Sequence, residues 1–183
     1  MIEFAISDVS NSIDQEARNL ISDLILAWAR FDSLITQWTI RSFGMGLDEG
    51  SVFIGNMDTK SKLDKIKALQ NHFGHIDAAA KVAEIAKQTR VHADVRNTIC
   101  HQTCGGYVKS DLSRLVFSNG KILAGHPGKL RVELIHISQI KEATKFARTK
   151  ADLVSELVDA FEALQERPSE GSPDDLSPAP LEF

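Results

Sequence analysis

The sequence predicts a mainly helical fold, a bundle of four to five helices with a small β-hairpin inserted before the last helix. Apolar residues recur every three or four positions over most of the chain, which is the period of an α-helix. The period changes to two only between Gly106 and Leu134, where short strands are expected. With 183 residues, 43% of them hydrophobic, the chain is large enough to form one domain with its own core.

The first helix is predicted from Ile13 to Phe43, because its apolar residues form one continuous stripe. Ser12 and Gln15 are expected to form a capping box at its start. Three large aromatic residues lie in this stripe at helical spacing. That spacing is typical of core packing, so we favour packing over a platform for stacked bases. The three residues are Trp28, Phe31 and Trp38.

Two further helices are predicted before the strands. One runs from Thr59 to Phe73 with Gly74 as its stop, and the next begins near Asp77 and continues past Arg90. The first of these helices carries four lysines on its predicted outer face. We interpret them as a solvated surface rather than a contact with an RNA backbone. They are Lys60, Lys62, Lys65 and Lys67.

The predicted hairpin consists of strands at Leu115–Phe117 and Lys121–Leu123, separated by a turn at Ser118–Gly120. One more strand is expected at residues 130–134, where apolar and charged residues alternate. Ser138 then serves as the expected N-cap of the last helix, whose apolar residues continue to Leu164.

The negative charge of the chain is concentrated in its last 18 residues, which contain five acidic residues and one basic residue. Residues 1–165 are neutral, so the body lacks the basic field that drives bulk binding of nucleic acids. Four of the five prolines lie in the same tail. We therefore predict a folded domain at residues 1–166 and a disordered acidic tail, rich in proline and serine, at residues 167–183.

The opening residues and the cysteine content indicate the compartment in which the chain is expected to fold. The opening residues include acids where a signal peptide has Lys or Arg, and no apolar run approaches the roughly 20 residues that span a bilayer. A cytoplasmic location without membrane contact is expected, and there Cys100 and Cys104 are expected to be free thiols. Zinc bound by these cysteines and a histidine is disfavoured, since no second ligand pair has metal spacing. The histidines considered are His72, His75 and His92.

Polar residues suited to phosphodiester chemistry lie close together in the third predicted helix. On a helical wheel, Val91, Val95 and Ile99 form an apolar seam that is expected to face the core. Four polar residues fall on the opposite side, and the long side chain of Arg96 is expected to reach round toward them. The four are Arg90, Asp94, Asn97 and His101.

These residue types fit general acid–base catalysis on a phosphodiester. The imidazole of His101 can take and release a proton near neutral pH, and the guanidinium of Arg96 can bind phosphoryl oxygens with a forked pair of donors. Asn97, one turn before His101, can orient the histidine or the substrate. Arg90 and Asp94 are candidates for contacting the substrate or supporting these groups. Such a set requires no metal and no cofactor.

The six residues Arg96-Asn97-Thr98-Ile99-Cys100-His101 match the Arg-Asn-x-x-x-His signature of the HEPN superfamily. The chain also resembles that superfamily in the order of its predicted helices from Ile13 to Leu164. The resemblance implies a HEPN-like bundle in which the hairpin is an insertion. Gln102 stands where the family often has a glycine directly after the histidine.

The resemblance implies a metal-independent endoribonuclease, in which the ribose 2′-hydroxyl attacks its own phosphate and leaves a 2′,3′-cyclic phosphate. His101 is then the general acid or base, Arg96 stabilises the transition state and Asn97 positions the reacting groups. The resemblance also implies a homodimer paired through the motif helices, with RNA as the partner. A toxin or defence effector restrained by an antitoxin or another regulatory protein fits this activity.

Two alternatives remain open at the level of sequence. The first is a catalytically silent HEPN-like module that binds RNA, a nucleotide or a protein through the same polar surface. The second is a helical interaction protein unrelated to HEPN.

Overall fold

The computed structural model describes residues 2–122 and 129–165, and it confirms the predicted mainly helical fold with a β-hairpin before the last helix. The expectations for residues 123–128 and for the tail at 167–183 lie outside the described residues. The helices are α1 (Gln15–Ser42), α2 (Leu47–Ile54), α3 (Thr59–His72), α4 (Ile76–His101) and α5 (Ile137–Gln165). The strands are β1 (Ile2–Ala5), β2 (Thr103–Val108), β3 (Asp111–Ile122) and β4 (Lys129–His136).

The centre of the fold is the pair α1 and α5, which run side by side in the same direction. Large apolar residues of α1 pack against a line of buried alanines on α5, so the two helices approach closely. The buried residues are Leu24, Trp28, Phe31 and Ile35 on α1 and Ala143, Ala147 and Ala151 on α5. The predicted core role of the α1 aromatics is confirmed, because all three are buried.

Among the described residues, three surface ion pairs join α1 and α5. From one pair to the next the residue numbers rise on both helices, so the two helices run in the same direction. The pairs are Glu16–Lys141 at 3.9 Å, Asp23–Arg148 at 3.2 Å and Arg30–Asp152 at 2.8 Å. All six side chains are more than half exposed, so the buried apolar contact, rather than these pairs, stabilises the helix pair.

The start of α1 differs from the prediction. Asp14, not Ser12, is the N-cap, and its carboxylate accepts a hydrogen bond from the Ala17 amide at 2.8 Å. This bond, with a second from the Tyr107 side chain, holds the pKa of Asp14 below its ordinary value. Burial, together with the same carboxylate, raises the pKa of Tyr107 to about 12. The beginning of α1 is thereby tied to β2.

Helix α2 was not predicted, because two turns are too short for a clear apolar period. Gly50 faces α1 at a point where a Cβ atom would collide with the Ile40 side chain, so only glycine permits this close approach. After α3, Gly74 adopts a φ of +76° and the chain reverses into α4. The prediction of Gly74 as a helix stop is confirmed.

Lys62 is not part of a solvated surface, and its interpretation as an outer-face residue is wrong. Its side chain is 1% exposed, and its Nζ lies 3.0 Å from Asp32 Oδ2. Thr59 Oγ1 donates to the other oxygen of the same carboxylate at 2.6 Å. Asp32 therefore joins α1 to two residues of α3. The other three lysines of α3, Lys60, Lys65 and Lys67, are exposed, as predicted.

The β-element is a four-stranded antiparallel sheet in the order β1-β4-β3-β2, to which the unpredicted strand β1 contributes. The predicted turn at Ser118–Gly120 is wrong: these residues lie within β3, where its register with β4 shifts and Gly120 has a φ of +74°. The tight connection is instead Lys109–Ser110, between β2 and β3. The sheet packs against the helices through Leu115, Phe117 and Ile135.

His136 caps α5, in place of the predicted Ser138. Its Nδ1 accepts a hydrogen bond from the Ser138 amide at 3.1 Å, and its own amide donates to Gln139 Oε1 at 2.8 Å. This reciprocal pair is a capping box. Strand β4 therefore passes directly into α5.

Helix α4 runs antiparallel to α5 and contacts it through a ring stack. The rings of His92 and Phe146 have centroids 4.5 Å apart and planes inclined by 28°. Burial lowers the pKa of His92 although the nearby Glu142 opposes this, so the neutral imidazole is favoured in the stack. Among the helices that the structure describes, none is both long and apolar enough to cross a membrane.

Asp32→Ala is expected to destabilise the fold, because it leaves the buried ammonium of Lys62 without its counter-ion. Losing one partner of a fully buried pair costs about 3 kcal/mol or more, and the partial exposure of Asp32 reduces this to about 2 kcal/mol. Urea denaturation measures the difference.

The matched control is Asp64→Ala. It removes the partner of Lys60 in an exposed ion pair on α3, the helix that also carries Lys62. Little change in unfolding free energy is expected there. Equal losses in the two variants would contradict the role given to Lys62.

Candidate functional site

Helix α4 carries all five predicted site residues and is uninterrupted through His101. Its inward face differs in part from the predicted seam: Ile99 is buried and Val95 packs against the core, but Val91 is 66% exposed. The helix is rotated by roughly 90° relative to the prediction, with His92 packed on α5 and Ile99 at the sheet end. The residues buried along this face are Val82, Ile85, Thr89 and Ile99.

Arg96 lies on the inward face of α4, between the positions of its buried residues on the helical wheel, and is half-buried. Its Nη1 donates a hydrogen bond to Asn97 Oδ1 at 3.0 Å. The guanidinium is thereby directed from the packed side of α4 toward the polar surface. Since only one of its five N–H groups is used in this bond, Arg96 keeps donors for an anionic ligand.

Asn97 and His101 lie one turn apart on the exposed side of α4. The bond from Arg96 uses the amide oxygen of Asn97, and the NH₂ group of this exposed residue makes no hydrogen bond within the described residues. Within the described residues, the imidazole of His101 makes no hydrogen bond and no ion pair. Both ring nitrogens of His101 are therefore accessible to a substrate.

Arg90 and Asp94 are exposed about three and two turns before His101, and they form no ion pair with each other. Arg90 is close enough to Lys60 of α3 to oppose the protonation of that lysine electrostatically. Both cations lie on the side of the molecule where α3 packs against α4. The structure brings Arg96 and Asn97 into contact, whereas Arg90 and Asp94 lie on the same surface without touching them through any hydrogen bond.

The cysteines beside the motif are free, with Cys100 exposed and Cys104 half-buried. Burial raises the pKa of the Cys104 thiol, which makes it a weaker nucleophile at neutral pH. In the described ranges, no three or more His, Cys, Asp or Glu side chains are grouped as ligands for a metal ion.

Glu133 of β4 fixes the end of the motif helix, a role that sequence reasoning missed. Its Oε2 accepts a hydrogen bond from Thr98 Oγ1 at 2.6 Å, and its Oε1 accepts one from Gln102 Nε2 at 2.9 Å. Thr98 and Gln102 stand on either side of His101 along the chain. One carboxylate thus holds the last turn of α4 against the sheet. No local pattern reveals a contact between residues 35 positions apart.

Glu133→Ala is expected to loosen the last turn of α4 while the rest of the bundle keeps its stability. Loss of the two hydrogen bonds should raise amide hydrogen exchange at Thr98–Gln102 by about fivefold to tenfold. The control is Glu156→Ala, an exposed glutamate on α5, which should leave this exchange unchanged. Equal protection in both variants would show that Glu133 does not anchor the turn.

Comparisons with protein-family models, with curated proteins and with solved structures found no match for this chain. The function of this surface is therefore inferred from its own residues and geometry.

Proposed function

We propose that this chain is a metal-independent endoribonuclease of the HEPN type, which cleaves RNA through attack of the 2′-hydroxyl and leaves a 2′,3′-cyclic phosphate. One observation carries the proposal: His101 and Asn97 are exposed side by side on an unbroken helix, and Arg96 is hydrogen-bonded to Asn97. An accessible imidazole, a fixed cation and a positioned amide are the groups that this reaction needs.

Each residue has a distinct role in the proposal. His101 transfers the proton, since its ring nitrogens have no partner within the described residues. Arg96 binds a non-bridging phosphate oxygen and stabilises the charge that develops there in the transition state. Asn97 donates from its NH₂ group to the phosphate or ribose, and its bond with Arg96 keeps the two groups in register. Arg90 adds positive charge along the path of the RNA.

The reaction needs a base at the 2′-oxygen and an acid at the 5′-leaving oxygen. Of the five candidate residues on one chain, only His101 has a reference pKa near neutrality. Two copies of the chain supply two histidines, so the proposal includes a homodimer. Val91 lies on α4 beside the polar surface and is 66% exposed, as expected of a residue covered by a second motif helix.

The neutral body favours recognition of a particular folded RNA over general RNA degradation. A ribonuclease of this kind is harmful to the cell that makes it unless it is restrained. The proposal therefore extends to a toxin or defence effector controlled by an antitoxin or another regulatory protein.

The second candidate is a module that binds RNA, a nucleotide or a protein through the same surface without cleavage. The observation that favours it is the single His101 per chain, because a monomer lacks a separate acid and base. The oligomeric state in solution therefore separates the two candidates.

Purified protein is expected to cleave total RNA in excess EDTA and to leave cyclic phosphate ends. His101→Ala should reduce the rate by about 10²- to 10⁴-fold, because proton transfer is lost. His72→Ala, at an exposed histidine of α3, is the matched control and should keep full activity. Equal cleavage by all three proteins would indicate a contaminating nuclease, and binding without cleavage would favour the second candidate.

Val91→Glu is expected to convert the homodimer into a folded monomer and to abolish cleavage, since it places a charge in the proposed interface. Val52→Glu is the matched control, because Val52 is 75% exposed on α2, on a different part of the surface. Light scattering measures the mass, and circular dichroism checks the fold. A monomeric wild-type chain that cleaves RNA would contradict the composite site.

A further inference from the structure

A second site lies at the end of the bundle opposite His101. A cavity of about 550 Å³ opens between α1, α3, α4 and α5. Its residues on α4 end at Ile85, which is roughly 24 Å along the helix from His101. The cavity therefore belongs to a different part of the molecule from the proposed ribonuclease site, and nothing in that proposal uses it.

The wall of this cavity is almost entirely apolar, and its volume lies within the range of small-molecule sites. A neighbouring hollow toward the α3–α4 turn shares Ala78, Lys81 and Leu157 with the cavity. An apolar wall of this kind suits a hydrocarbon chain better than a polar metabolite. The apolar lining consists of Trp38, Ala78, Val82, Ile85, Leu153 and Leu157.

Four polar side chains border the cavity and determine its charge: Gln70, Lys81, Glu84 and Lys150. Glu84 already accepts a hydrogen bond from Gln88, at 2.8 Å, and Gln70 is paired with His75 at 3.0 Å. Lys150 lies over the ring of Phe146. Lys81 borders both hollows and makes no ion pair within the described residues. Two lysines and one glutamate give the rim of the cavity itself a charge of +1, and Asp77 lies in the neighbouring hollow.

We propose that this cavity binds a single-chain amphiphile with a carboxylate head, of the fatty-acid class. The hydrocarbon chain lies against Trp38, Val82 and Leu153, where it is removed from water. The carboxylate lies at the rim beside Lys81, which makes no ion pair within the described residues, and Lys150 adds positive charge nearby. The charge of the rim selects an anionic head over a neutral one.

Titration of the full chain with decanoate and dodecanoate below their micelle concentrations tests the proposal. Binding should be saturable at one molecule per chain and should change the fluorescence of Trp38, which lines the cavity. Each added methylene should tighten binding about fourfold, so dodecanoate should bind roughly 15-fold more tightly than decanoate. Calorimetry gives the stoichiometry independently of fluorescence.

Matched variants separate the two parts of the site. Leu157→Glu, at a partly exposed position, should abolish binding, whereas Leu26→Glu, on the exposed side of α1, should not. Lys81→Gln should weaken dodecanoate binding by about fivefold and leave dodecanol binding unchanged. Lys87→Gln, on the same helix away from the cavity, should change neither.

Three results would overturn the proposal. They are absence of saturable binding, equal affinity for the two chain lengths, and binding that persists in Leu157→Glu. A dimer that Leu157→Glu dissociates would instead assign the cavity to a second copy of the chain. Since the readouts are ligand binding and mass, the result is independent of ribonuclease activity, and either proposal can fail alone.

Discussion

The structure depends on the close parallel packing of α1 against α5. Ala143, Ala147 and Ala151 follow one another at every fourth position of α5 and are fully buried. Their small side chains make room for Leu24 and Phe31 of α1, which are also fully buried. Any larger residue in this line of alanines would separate the two helices, and the other elements pack on the surface that the pair creates.

Helix α4 takes its position from this pair. The stack of His92 on Phe146 fixes its middle, and the contact of Glu133 with Thr98 and Gln102 fixes its end at the sheet. One end of α4 therefore presents Asn97 and His101 at the sheet side, while the other borders the apolar cavity. The two proposed sites lie at opposite ends of α4. Because a long helix is rigid, the contacts that hold α4 fix the positions of both ends.

Long charged side chains at contacts between helices explain why the observed surfaces of α3 and α4 differ from the predicted ones. Lys62 is buried because Asp32 on α1 supplies a counter-ion in the contact between α1 and α3. Arg96 is half-buried, with its charged end turned toward Asn97. Both side chains are long enough to combine an apolar stem in a helix contact with a polar head at its edge. A charged residue in a periodic sequence is therefore weak evidence for a solvent-facing position.

The sequence by itself determined the mainly helical class, the approximate extents of α1 and α3, the start of α4, the glycine stop after α3 and the core role of the α1 aromatics. These features depend on local periodicity and backbone conformation, which are determined by residues close together in the sequence. It also placed Asn97 and His101 one turn apart, because helical spacing alone does so. Only the tertiary structure decided which face of α4 is buried, that Val91 is exposed, and that the sheet has four strands. The tertiary structure also decided the contact of Glu133 with α4 and the cavity beside Trp38. Each of these features joins residues that are distant in the sequence, and such contacts leave no local pattern.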